Sequence, residues 1–221
     1  MARAPWAVGL LFGISLAIVI TLIGPLVLFN PWFTSALQVR HDVATALDTT
    51  QTEVERVTSS YLRDIYLDGG FDASLDGTEP LLDASERSHM TDVSRLVRLL
   101  AGIGILALIL AVVTGAWLRQ EPRRQGRVML IAAGTIGAVA LLLAGIFAVA
   151  FEPAFLAFHE LFFPPGTYLF EEGSKLITLF PEPFWFDAAL AAGAAIIVVA
   201  LVVSVIGLRR WRGGQATTPA A

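Results

Sequence analysis

The sequence predicts an all-α membrane protein, a four-transmembrane-helix bundle carrying an extracellular cap formed by two outer loops. Three observations predict it. Hydrophobic residues fill 56% of the 221 positions and charged residues only 15%, where a soluble domain carries about a quarter charged. The apolar excess is gathered into four charge-free runs, Trp6–Phe29, Leu99–Leu118, Val128–Phe151 and Ala188–Leu208, of 24, 20, 24 and 21 residues. The charges between these runs are segregated by sign. The chain reads as a single membrane domain, 1–221, with spans at about 6–29, 99–118, 128–151 and 188–208 and a cap from 30–98 and 152–187.

A hydrocarbon core of about 30 Å takes about 20 helical residues at about 1.5 Å each, so every run is long enough to cross it. The first run could instead be a secretory signal, since Thr34-Ser35-Ala36 resembles a cleavage site. Its apolar stretch is far longer than a signal core of about 7 to 15 residues, and it is read as a retained span. Arg3, the loop holding Arg119, Glu121, Arg123, Arg124 and Arg127, and the tail holding Arg209, Arg210 and Arg212 together carry +7, whereas the other side carries −11. Lys and Arg near span ends stay in the cytoplasm, which places both termini inside and the two long loops outside. These arginines are topology signals before they are lipid contacts, and no nucleic-acid partner is expected.

The first outer loop opens its helical part at Thr50-Gln51-Thr52-Glu53, which has the form of a capping box, and Val54, Val57, Tyr61 and Ile65 recur at helical spacing until Asp68-Gly69-Gly70. An amphipathic helix is expected there, with Ser59 and Ser60 structural. Asp76-Gly77 and Pro80 predict turns and a small hairpin over residues 71–84. A helix beginning near Ser85 would put Glu86, His89 and Asp92 on one face at the head of the second span. A carboxylate so spaced can hold an imidazole in one tautomer and raise its basicity; a solvated, dipole-favoured helix start is the alternative reading.

The third span leads into the second outer loop, where Phe151 to Phe186 holds eleven of the chain's 22 aromatic residues in 36 positions, more than an interfacial belt requires. Helical offsets set Phe155, Phe158 and Phe162 beside His159, with Phe163 following. A histidine in such a wall is expected to be mostly neutral, the state a general base needs. The alternative is an interfacial histidine bonded to a carbonyl. His41, between Arg40 and Asp42, is read as a surface residue.

With no cysteine there are no thiol nucleophiles, thiolate metal sites or disulfide-built outer domains. Gly102 and Gly104, or Gly213 and Gly214, lack the strand and lysine of a phosphate cradle and are read as close packing and a mobile tail. Glu86, His89, Asp92 and His159 could form a His/carboxylate metal site, but a metal-free histidine pair is the stronger reading, since His159-Glu160 lacks the second histidine of a zinc-protease helix.

Taken together, the layout resembles the bacterial lipoprotein intramolecular transacylase (Lit-type) family of integral membrane proteins. Two signatures carry the resemblance: Glu86-x-x-His89-Met90-x-Asp92-Val93, and Phe158-His159-x-x-Phe162-Phe163 leading to Leu176-Ile177-x-Leu179-Phe180-Pro181-Glu182-x-Phe184. Their histidines are 70 residues apart. The chain departs from the pattern at Tyr168, where tryptophan is expected, and at Gly173-Ser174-Lys175, where an acidic residue is expected; both bear on substrate preference.

The resemblance implies an enzyme of the bacterial cell membrane, a membrane acyltransferase acting at the outer leaflet. Its partners would be membrane lipids and a diacylated lipoprotein substrate, one acyl chain of which moves from the glycerol to the α-amine of the N-terminal cysteine. It implies catalytic roles for His89 and His159, with Glu86, Asp92 and Tyr168 supporting and Phe155, Phe158, Phe162 and Phe163 lining the substrate. No cofactor is implied, and the oligomeric state is left open. Ester-to-amide transfer within one molecule needs a base for the amine and an acid for the leaving oxygen, which two imidazoles can supply. The alternative is a non-catalytic lipid-binding or scaffold protein. A channel is disfavoured because the spans hold no ionisable residue.

Overall fold

The structure, a computed structural model, describes residues 5–171 and 173–213. Arg3 and Gly214, both invoked above, lie outside them. The described residues form helices and no strands: α1 (Trp6–Leu28), α2 (Pro31–Arg40), α3 (Val43–Ala46), α4 (Gln51–Leu67), α5 (Ala84–Leu118), α6 (Pro122–Val149), α7 (Phe151–Phe162), α8 (Lys175–Leu179) and α9 (Glu182–Gly213). By length and composition α1, α5, α6 and α9 are able to cross a membrane, which accords with the predicted fold class of a multi-pass helical membrane protein. Each charge-free run lies almost wholly within one of these helices, but α5 and α9 begin well before theirs.

The chain divides into two compact units. The first comprises the described parts of Met1–Pro25, Gly102–Gly145 and Ala192–Ala221, drawn from all four long helices. Its apolar contacts are Val8 and Phe12 of α1 against Leu118 and Met129, and Ile20 against Ala133 and Ala200. Lipid tails are as apolar as leucine, so such helices associate through close backbone approach at small residues. Gly126 of α6 and Gly207 of α9 are the clearest case: a Cβ added at Gly126 would fall 2.4 Å from the Gly207 carbonyl oxygen. Beside them the buried Gln125 donates to Gly115 O at 2.9 Å and accepts from Arg210 at 2.5 Å, so its amide is satisfied at both ends.

The second unit is Leu26–Ala101 with Ile146–Ala191, so the two long loops fold together. Asn30 caps α2 by accepting from Trp32 N and Phe33 N, with Pro31 supplying the fixed φ of a first helical position. Thr50 caps α4 through Glu53 N at 3.3 Å, but only half the expected capping box forms, because the Glu53 carboxylate turns to Arg56 at 2.7 Å. The predicted stripe is the core of this unit: Val54, Val57, Tyr61 and Ile65 are at most 3% exposed and pack with Leu176 and Leu179 of α8. Gln38 of α2, fully buried, donates to Thr58 Oγ1 and to Leu179 O, tying three short helices together.

The hairpin expected over 71–84 does not form. The segment holds one backbone bond across itself, Leu81 N to Ala73 O at 3.0 Å. Phe71 takes φ 56°, its N–H donates to Asp64, and both Phe71 and Leu82 sink into the core at 1% exposure. Burying those two side chains outweighs the alternation a ladder would impose.

Candidate active site

Asp83 and Glu86 start the helix that carries the first histidine. Asp83 Oδ1 accepts from Glu86 N at 2.9 Å while Glu86 Oε2 accepts from Asp83 N at 2.8 Å, a closed capping box with aspartate in the usual serine position. One turn later His89 points inward at 6% exposure. Its Nδ1 is buried and has no hydrogen-bond partner. An orphaned buried ring nitrogen costs free energy in the resting protein and is available to a group that arrives later.

His159 sits on α7, and the two imidazole rings face each other at 5.9 Å between centroids, 25° from parallel. This meets the juxtaposition that a histidine pair requires. Nδ1 of His159 lies 2.8 Å from the Phe155 carbonyl oxygen one turn back. A carbonyl only accepts, so Nδ1 holds the proton of the neutral ring and Nε2 keeps its lone pair. Burial lowers the pKa of His159 below the ordinary 6.5, partly opposed by that same bond. The ring is therefore an unprotonated base at neutral pH. An attacking α-amine titrates at about 7.7–8.0, so one acid limb is expected near that value, with the ring adding a second only below 6.5. Initial rates in membranes, beside the separately titrated amine of the reporter, would check it; a second limb at or above 6.5 would contradict it.

Aromatic rings enclose the pair. Phe163, at the C-cap of α7, and Phe170 meet His89 edge-on at 4.9 and 5.6 Å. Phe155, Phe158, Phe163 and Tyr168 stand 4.3, 5.5, 5.5 and 5.3 Å from His159. Phe162 joins through Phe158 at 4.9 Å. Behind Phe155 the wall continues to Trp185, and through Phe151 to Phe186. No residue of α7 is buried, and Leu161 is 75% exposed.

The carboxylates stand elsewhere than the spacing suggested. Asp92 shares the face with His89 but accepts from Arg95 at 2.8 Å. Glu86, 1% exposed, spends its second oxygen on Ser174 Oγ at 2.5 Å and Leu176 N at 3.0 Å. Neither holds an imidazole, because closer donors claim their lone pairs. His41 is also corrected: its side chain is 17% exposed and its Nε2 lies 3.0 Å from Asp187 Oδ2, an oxygen shared with Arg40. Sequence reasoning counted Phe170 only as one of the aromatic residues of the second loop, took Ser174 only as part of a departure from the family pattern, and missed the cap at Asp83, for which Asp83-x-x-Glu86 was a readable signal.

With this geometry in view, the chain can be set beside known proteins. The family model described as lipoprotein intramolecular transacylase Lit matches residues 8–185. A protein of Aquifex aeolicus named only as uncharacterized is 26% identical over 125 residues, 56% of this chain; the match spans about half of that relative, 55% of its length. Among solved structures, the membrane integral lipoprotein intramolecular transacylase Lit from Bacillus cereus superposes with a TM-score of 0.76 at 20% identity, covering 96% of this chain and 97% of that one. A variant of it with one histidine changed to arginine gives 0.78 at 18% identity, covering 96% and 94%. At such identities the likeness shows the fold.

Proposed function

Because the chain belongs to the lipoprotein intramolecular transacylase Lit family, we propose that it moves an acyl chain within a diacylated bacterial lipoprotein, from the glycerol ester to the α-amine of the N-terminal cysteine. The observation that carries this reading is the imidazole pair inside an aromatic enclosure, one ring with a free Nε2 lone pair and the other with an unpartnered buried nitrogen. His159 takes a proton from the amine as its nitrogen attacks the ester carbonyl. The tetrahedral centre then collapses and the carbon–oxygen bond breaks as the proton taken by His159 passes by way of His89 to the departing glycerol oxygen. Burial and the neighbouring His159 lower the pKa of His89 to about 4, so it holds that proton only in passing and both rings end neutral. No water or second substrate enters the balance, and holding amine and ester together removes the entropic cost of a bimolecular step.

The same reading places the site on the outer face of a bacterial cell membrane with both termini cytoplasmic, in keeping with the +7 and −11 charge split. Tyr168 packs on His159, the Asp92 charge favours the protonated form of His89 without touching it, and Glu86 acts through the turn that presents His89; Phe155, Phe158, Phe162 and Phe163 line the acyl path. Each buried methylene is worth about 0.8 kcal/mol, so acyl chains enter sideways from lipid, which the exposed apolar α7 permits.

The reaction is an isomerisation, and this sets its test. A reporter lipoprotein from cells lacking other N-acylating enzymes should keep its parent mass when this protein is present. Tandem mass spectrometry should nevertheless find one acyl chain on the cysteine nitrogen, and the amine should no longer react with amine reagents. A parent mass higher by one chain would point to a separate acyl donor. An unaltered reporter would favour the lipid-binding scaffold.

A further inference from the structure

The Glu86 carboxylate meets three donors: Asp83 N–H on one oxygen, and the Ser174 hydroxyl and Leu176 N–H on the other. The first belongs to the turn that starts α5, the helix presenting His89. The other two belong to the start of α8, where Ser174 is also the N-cap, accepting from Ile177 N at 3.2 Å. The chain from Phe163 to Ser174 carries Tyr168 and Phe170, the rings set against His159 and His89. That loop leaves α7 at one end and is fastened to the His89 helix at the other.

We infer that Glu86 is a positioning residue: its carboxylate latches the aromatic loop 163–174 to the helix that presents His89, and thereby sets the register of the two imidazoles. This rests on the transacylase reading for its catalytic consequence, but the latch itself is physical and separately measurable. A backbone N–H on each oxygen, from Asp83 and from Leu176, makes the site specific for an acceptor-only group. A glutamine would have to turn its NH2 toward either Asp83 N–H or Leu176 N–H, two donors face to face. A buried group so mismatched loosens whatever it held.

The test uses the full chain in lipid nanodiscs with Glu86→Gln, Ser174→Ala, the double variant and Ser174→Thr. Hydrogen exchange in residues 163–176 should rise about tenfold in Glu86→Gln while α4 keeps its protection. On the diacylated reporter, kcat should fall on the order of 10²-fold with KM changing far less, since Phe155, Phe158 and Phe162 stay in place on α7 and the main loss is alignment. Ser174→Ala should cost a few-fold, by one lost donor of three, and Ser174→Thr, which keeps hydroxyl and cap, should match the parent. The double variant should be no worse than Glu86→Gln, because both changes open one latch. Independent, multiplying effects, exchange unchanged in Glu86→Gln, or a rise in KM with kcat intact would each overturn the latch. An inactive parent protein would instead overturn the transacylase reading, and the exchange result would still decide the latch.

Discussion

Truncating either imidazole should all but stop acyl migration: His159→Ala and His89→Ala are each expected to slow it by about 10²- to 10⁴-fold. The two losses differ in kind. Without His159 the attacking amine has no acceptor for its proton, because the lone pair on Nε2 is the one that the Phe155 carbonyl leaves free. Without His89 the glycerol oxygen departs as a high-energy alkoxide. Since both steps belong to one proton circuit, the double variant should be scarcely slower than either single one. Stability should change only modestly for His159→Ala, whose ring is partly buried and hydrogen-bonded only to its own helix. Quantifying N-acylated reporter by tandem mass spectrometry, beside the amount of inserted protein, separates lost chemistry from lost protein. Full activity in both single variants would remove the histidine mechanism.

The largest effect on stability is expected far from the histidines. In Gly126→Val, the new Cβ would lie 2.4 Å from Gly207 O, 2.5 Å from Trp211 N and 3.1 Å from Trp211 Cα. All three are backbone atoms, which cannot rotate aside as a side chain does. The facing residue is tight as well, since a Cβ at Gly207 would stand 3.0 Å from Gly126 O. Helices α6 and α9 must therefore separate, at a cost of about 3 kcal/mol or more. For a chain of this length that corresponds to a fall of about 10 °C in Tm. Gly134→Ala is the comparison, because nothing lies within 4 Å of the added carbon; it should leave Tm unchanged or slightly raised. Equal thermal midpoints for the two variants would show that the Gly126 contact does not hold the helices together.

What could be read from the sequence, and what could not, follows a physical division. The spans were legible because a charge in hydrocarbon is costly, so four uninterrupted runs can hardly be anything else. The α4 stripe and the aromatic setting of His159 were legible because helical periodicity reports which residues share a face. Periodicity does not report who stands opposite. The spacing allowed the carboxylate of Glu86 to hold His89, three residues away, or to face solvent; it turned to Ser174, 88 residues away. The surface reading of His41 failed likewise, because Asp187 reaches it across 146 positions. Residues 71–84 carried turn signals that were real, as the left-handed Gly77 shows. Their failure as a hairpin was decided by a pocket for Phe71 and Leu82 that only the folded α4 creates.

The absence of any buried residue in α7 bears on where the stability of the reactive centre comes from. A helix of twelve residues that the polypeptide covers on one side only owes part of its free energy to the medium packed against its outer flank. On the proposed reading that medium is acyl chain, and the register of His159 would be coupled to how tightly those chains pack. Lipid saturation, chain length and temperature would then act on turnover as effectors do, with no binding site of their own.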